Sequence, residues 1–130
     1  MRKIAFALVA LIALLHFYIA WFEMFAWTTR GPMVFETFPP ELFDQTVQMA
    51  ANQGLYNAFL AVGLVWSLFI RDVKWQNNIA TCFLAFVAVV GVGAAVTVVL
   101  KSGLIQFVPA SIALVLLFVS RNSTRDNNDQ

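Results

Sequence analysis

The run from Ile4 to Trp27 is apolar enough to cross a bilayer, yet it carries His16 near its middle and Glu23 seven residues further on. Roughly 24 helical residues span a hydrocarbon core of ~30 Å. Seven helical steps of about 100° return to nearly the same direction, so both side chains share one face. Ala20 lies between them on that face, and Trp27 extends it. An imidazole and a carboxyl group inside a span need partners, and an ionisable residue there marks a candidate functional site. What those two residues require constrains every other segment.

Composition places the run in a membrane. Of the 130 residues, 61% are hydrophobic and 12% charged, against roughly 45–50% and 25% in soluble domains. A chain this short has too little interior to hide so much apolar surface. The net charge of +1 and the lack of a basic stripe argue against nucleic acid. Cys82 is the single cysteine, which excludes an intrachain disulfide and a Cys-based zinc or redox site. One His and one Glu fall short of the three ligands that a usable metal site needs, so no metal is expected.

Arg2 and Lys3 precede the first run as they would in a signal peptide. The run is too long for one, and Tyr18 stands where a cleavage pattern needs a small residue, so a retained span is expected. Residues Thr28 to Ala51 form the one long connection, punctuated by Gly31-Pro32 and Pro39-Pro40. Its first half reads as irregular. After Pro40, Glu41 and Asp44 suit the positive end of a helix, and Phe43, Val47 and Ala50 mark one stripe. The second helix is therefore expected to start near Pro40, outside the hydrocarbon, and to run ~45 Å to Ile70.

Arg71 to Asn78 reads as a polar turn, Ile79 to Leu100 as a third span, Lys101-Ser102-Gly103 as a turn, and Leu104 to Ser120 as a fourth span that Pro109 can kink. The third span has small-xxx-small pairs at Thr81/Ala85 and Gly91/Ala95, which let helices approach closely, within the chain or between copies of it in a homo-oligomer. The expected architecture is thus an all-α, integral membrane bundle of four transmembrane helices. Residues 1–120 form its single domain, and 121–130 a disordered cytoplasmic tail. Arg2, Lys3, Arg71, Lys74, Arg121 and Arg125 fall at one end, against Arg30 and Lys101 at the other. The positive-inside rule then places both termini in the cytoplasm.

In that orientation Glu23 lies in the outer half of the first span and His16 near mid-membrane. The second helix enters from the same side through Asn52-Gln53-Gly54-Leu55-Tyr56-Asn57. Asn52/Tyr56 and Gln53/Asn57 are i, i+4 pairs, and the four lie within roughly 140° of the helix circumference. Thr97, Gln106 and Ser111 also belong to the outer half, while the inner half is Leu, Val, Phe and Ala. Such an asymmetry implies a pocket that opens outward or into the outer leaflet, with Phe35, Phe38 and Phe43 available to cover its mouth. Trp21, Trp27, Trp66 and Trp75 suit interface anchoring, with Trp27 also near the polar cluster.

Glu23-Met24-Phe25-Ala26-Trp27, with His16 upstream, and Ala51-Asn52-Gln53-Gly54-Leu55-Tyr56-Asn57 resemble the two signature stretches of the small bacterial membrane proteins catalogued as domain of unknown function 1304. The likeness covers about residues 4 to 119. It implies four helices and an inner-membrane location, and it brings no activity with it.

From the residues themselves, three readings stand. In the first, an apolar molecule or membrane lipid enters from the bilayer and is bound or transformed. Glu23 exchanges a proton with His16 as its partner, and Asn52, Gln53, Tyr56, Asn57 and Trp27 orient the ligand. Four-helix sterol-isomerase-like proteins offer a fold-level analogy. In the second, the chain is a proton-coupled exporter similar to the small multidrug-resistance transporters, which also carry one membrane Glu in their first helix. In the third, the polar cluster is structural, either a clasp holding the first two helices together or the face by which an assembly subunit docks a partner. Whether any of these involves catalysis, and which cofactor if any, is unspecified by the residues.

Overall fold

A computed structural model describes residues 1–36 and 38–126, with side chains described as far as Arg121. It is all-helical among these residues, with six helices: α1 (Arg2–Phe25), α2 (Trp27–Val34), α3 (Pro40–Gln45), α4 (Val47–Phe69), α5 (Val73–Thr97) and α6 (Leu100–Asp126). Three of them, α1, α5 and Leu100–Arg121 of α6, are long and apolar enough to cross a membrane. Helix α4 is only one residue shorter than α1, but Gln48, Asn52, Gln53 and Asn57 in its first half dilute its apolar character.

The long helices pack in sequence around a ring. Helix α1 lies along α4 and α5 lies along α6, and these two pairs meet through α1 against α6 and α4 against α5. Glycine sets the closeness of both pairs. A Cβ at Gly54 of α4 would sit 2.9 Å from the Ala20 backbone oxygen and 3.2 Å from Glu23 Cβ. A Cβ at Gly103 of α6 would meet Ala95 N and the Gly91 oxygen at 2.4 Å each. Both distances are well inside contact, so only glycine allows these backbones to approach.

One half of the ring is filled by a core of Ala5, Val9, Ile12 and Ala13 of α1, Leu64 of α4, Ala80, Leu84 and Val87 of α5, and Ala110, Ala113 and Leu117 of α6. All belong to the half that holds both ends of the described chain. Hydrogen bonds close that end: Arg2 donates to Gln76 Oε1, and Arg121 donates to Asn78 Oδ1. The outward faces stay apolar, with Leu11, Phe17, Phe59, Val62, Phe69, Val89, Val96 and Phe118 all exposed. Large exposed apolar surfaces of this extent suit lipid rather than water.

Several expected boundaries move. Gly31-Pro32 does not break the chain; both lie inside α2, and Gly31 is buried because the Phe43 ring covers it. The single helix expected from Pro40 is divided into α3 and α4 at Thr46, whose backbone leaves helical values (φ −107°, ψ 7°). The Thr46 hydroxyl donates to Leu42 O at 2.6 Å and accepts from Trp27 Nε1 at 3.0 Å, which ties the bend to α2. The polar turn shrinks to Ile70–Asp72, because Asp72 caps α5 by accepting from Trp75 N at 2.8 Å. Lys101-Ser102-Gly103 is not a turn either: the chain reverses at Val98-Val99, and Gly103 serves the crossing on α5. Helix α6 continues through the polar stretch to Asp126; the rest of the tail expected to be disordered, residues 127–130, lies outside the described residues.

Candidate functional site

The half of the ring opposite the packed core encloses a cavity of about 680 Å³, inside the ~300–1,000 Å³ range of small-molecule sites. Its walls come from both pairs of long helices. Leu15, Tyr18, Ile19, Phe22 and Glu23 are from α1, and Ala50, Gln53 and Asn57 from α4. Opposite stand Val90, Gly93, Ala94 and Thr97 of α5 with Ile105 and Gln106 of α6. Its rim is built by the connection: Trp27 and Val34 of α2, with Phe35, Phe38 and Thr46. The half that holds the chain ends is occupied by the Leu, Val, Ile and Ala core.

Aromatic packing holds the rim. Trp27 lies 5.3 Å from the Phe43 ring, 5.7 Å from Phe35 and 6.0 Å from Phe22, centroid to centroid. Phe43 is only 2% exposed, so it is the buried support of this cluster rather than part of the mouth. Phe38 stacks edge-on against it at 5.5 Å. Trp27 is therefore a wall of the cavity. Trp66 and Trp75 stay on the outer surface, and Trp21 lies beneath the Arg30 guanidinium at 5.1 Å.

The polar centre of the cavity is Glu23 with Asn57. Asn57 Nδ2 donates to Glu23 Oε2 at 2.8 Å and, more weakly, to Gln53 O at 3.3 Å. Glu23 is partly buried, Asn57 is 4% exposed, and both face the cavity. Gly54 lies one turn back on α4, and its missing side chain is what brings α4 close enough to α1 for this bond. The second half of the Asn57 amide, Oδ1, is buried without a partner.

The other expected site residues separate into two groups. Gln53 is exposed at the cavity rim, whereas Asn52 and the 56% exposed Tyr56 are not among its walls. His16 is fully buried, but it neither lines the cavity nor bonds to Glu23. Its Nδ1 donates to Ile12 O at 2.9 Å, and the ring sits behind the cavity at the start of the packed core. The expected Glu23–His16 proton pair is thus not a contact in this structure, because seven residues of helix set the two groups ~10 Å apart along the axis.

Gln106 is the side chain that sequence reasoning placed at the right depth without assigning it to the site. It is 8% exposed on α6, lines the cavity and faces His16. Gln106 Nε2 donates to Ser102 O at 3.2 Å, while Gln106 Oε1 and His16 Nε2 are both buried without a hydrogen-bond partner. No group of three metal-ligating side chains occurs among the described residues.

No solved structure matches the chain significantly. A curated relative, the uncharacterized protein YpaA of Lactococcus lactis subsp. lactis (strain IL1403), is 32% identical over 110 residues, covering 83% of this chain and 91% of the relative. The family model described as Protein of unknown function (DUF1304) matches residues 10–118, and this chain belongs to that family.

Proposed function

We propose that this is a multi-pass inner-membrane protein that binds a small apolar molecule in the cavity between the α1–α4 and α5–α6 pairs, with Glu23 and Asn57 as its polar anchor. In this reading all four long helices cross the bilayer as one bundle. The relatively polar first half of α4 is tolerated because Asn57 turns inward to Glu23 and Gln53 to the cavity rim. Arg2, Lys3, Arg71, Lys74 and Arg121 sit at the cytoplasmic end, and the cavity lies in the outer half, reached from the outer leaflet past Phe35 and Phe38.

The observation that carries the reading is a mostly apolar, open cavity with one partly buried carboxyl–amide pair at its wall. A purely structural clasp would need only the Glu23–Asn57 bond. It would not need about 680 Å³ of adjoining space in a bundle whose other half is built on a buried apolar core. Glu23 and Asn57 serve both purposes, joining α1 to α4 and presenting polar atoms to the interior.

Native mass spectrometry of the protein purified in a neutral maltoside, followed by extraction and lipid analysis, tests this. A co-purifying apolar molecule near one per chain is expected, and Gly93→Phe, which projects a ring from a cavity wall, should remove it. A protein that carries nothing, in wild type and variant alike, would leave the clasp as the better account. Orientation is checked separately in a Cys82→Ala background. Cysteines replacing Lys74 and Lys101 should react with an impermeant thiol reagent from opposite faces of the membrane.

A further inference from the structure

The buried polar atoms at and beside the cavity have a common character. Asn57 spends both Nδ2 hydrogens, one on Glu23 Oε2 and one on Gln53 O, and turns an unpartnered Oδ1 loose. Reversing that amide would set its oxygen against two other oxygens, so the assignment is fixed by the network. Gln106 spends a hydrogen on Ser102 O and likewise leaves Oε1 unpartnered. Behind it, His16 donates through Nδ1 to a carbonyl, which can only accept, so Nε2 of the neutral ring is an acceptor too. Most donors near the cavity are already engaged, the second hydrogen of Gln106 Nε2 being an exception. Trp27 Nε1 is held by Thr46, the Thr46 hydroxyl by Leu42 O, and the Thr97 hydroxyl by Gly93 O. Tyr18, Gln53 and Ser102 carry further donors, but they stand at partly or fully exposed positions.

Each buried atom here that is left without any partner is therefore an acceptor, against one free buried N–H, the second hydrogen of Gln106 Nε2. A buried acceptor without a hydrogen is unfavourable, and a ligand that brings hydrogens removes the penalty at several atoms together. A ligand whose polar end only accepts, such as a quinone, ketone, ester or carboxylate, can take the Gln106 N–H but leaves Asn57 Oδ1 and Gln106 Oε1 without a hydrogen. We infer that the cavity selects an amphiphile whose polar end is a hydrogen-bond donor, a primary ammonium above all, with its alkyl chain between Phe22, Ile19, Val90 and Ile105. Glu23 supplies the carboxylate for the ammonium, Asn57 Oδ1 and Gln106 Oε1 accept its remaining hydrogens, and the apolar lining takes the tail. A quaternary ammonium, which carries charge but no N–H, is a poorer fit.

The inference rests on the cavity reading above, and probes with one tail and different heads separate the two. Delipidated protein in a neutral maltoside is titrated, with native mass spectrometry as readout, using dodecylamine, dodecanol, dodecyltrimethylammonium, dodecanoate and a decyl-substituted quinone. Dodecylamine should bind at least about tenfold more tightly than dodecanoate, the quinone or the trimethylammonium probe, with dodecanol between, as expected for charge-assisted over neutral hydrogen bonds. Glu23→Gln keeps an acceptor for Asn57 and should cost amine affinity about tenfold while leaving dodecanol within about threefold. Gln106→Leu should weaken amine and alcohol together. Equal or tighter binding of the quinone or dodecanoate overturns donor selectivity and leaves the cavity reading standing. Binding of none of the probes overturns both.

Discussion

Gly54→Ala asks how tightly α1 and α4 must meet at the cavity wall. The added methyl would sit 2.6 Å from Met24 Cγ, 2.9 Å from the Ala20 carbonyl oxygen and 3.2 Å from Glu23 Cβ. The Met24 side chain can swing away at little cost. The Ala20 oxygen is backbone, and relieving that contact means moving one helix outward by about half an ångström. Overpacking of this kind costs about 1–3 kcal/mol. The same displacement pulls on the 2.8 Å bond between Asn57 and Glu23, adding about 1 kcal/mol if it is lost. Alanine returns about 1 kcal/mol through its better helix propensity. The net expectation is a destabilisation of about 1–3 kcal/mol. Gly93→Ala is the internal control, because a Cβ there meets nothing within 4 Å; only the propensity gain remains, so it should be neutral or stabilising by up to about 1 kcal/mol. Thermal melts of both variants in one detergent, followed by circular dichroism, should place Gly54→Ala below wild type by several degrees and Gly93→Ala at or above it. If Gly54→Ala melts with Gly93→Ala, the α1–α4 approach at Glu23 is not tight and the account of this wall is wrong.

Other substitutions probe other joints. Gly103→Ala should be worse than Gly54→Ala, because its methyl would meet two backbone atoms at 2.4 Å, and low yield with a melting point below that of Gly54→Ala is expected. Glu23→Gln should melt close to wild type because Gln can still accept from Asn57. Glu23→Leu leaves that amide unpaired and should lose about 1–3 kcal/mol, read in the same melts. Trp27→Phe keeps the ring packed on Phe35 and Phe43 but gives up the hydrogen bond to Thr46, for a loss of about 1 kcal/mol. Trp27→Ala dismantles the rim, with an expected loss of about 3 kcal/mol and faster access of thiol reagents to a cysteine placed at Ala94.

Helical phase explains how much of the site could be read from the sequence. Once Asn57 points at Glu23, Gln53 lies about 40° away and stays at the rim, Tyr56 about 100° away, and Asn52 about 140° away. The four polar residues were close enough in angle to be grouped, and too far apart to share one pocket. His16 and Glu23 do share a face, but phase says nothing about depth, and the packed core ends between them. Gln106 was hard to assign because it has no helical partner at i ± 4 except the Ser102 carbonyl, which no side-chain pattern reveals. The element boundaries failed for a related reason. Gly31, Gly103 and Lys101-Ser102 look like turn chemistry, yet both glycines are used for close approach to a ring or a backbone inside helices. Asp72, by contrast, carries an ordinary capping signal that a reading focused on hydropathy passes over.

The cavity has a structural cause that does not depend on any ligand. In the half that holds the chain ends, alanines on three helices (Ala5, Ala13, Ala80, Ala110 and Ala113) alternate with Val9, Leu64, Leu84, Val87 and Leu117, so small and large residues interlock in a buried core. In the other half the two tight crossings lie inside the pairs, at Gly54 for α1–α4 and at Gly91 and Gly103 for α5–α6. Close approach is thus concentrated within each pair, and the space between pairs is left to be bridged by whatever the connection supplies. It supplies rings: Trp27 and Phe35 at the rim with Phe43 behind them, joined to the start of α4 through Thr46. Rings set around an opening can part without breaking backbone hydrogen bonds, whereas the core half cannot. In the binding reading proposed above, a molecule would pass the aromatic rim and stop at the level of Glu23, Asn57 and Gln106, which line the cavity.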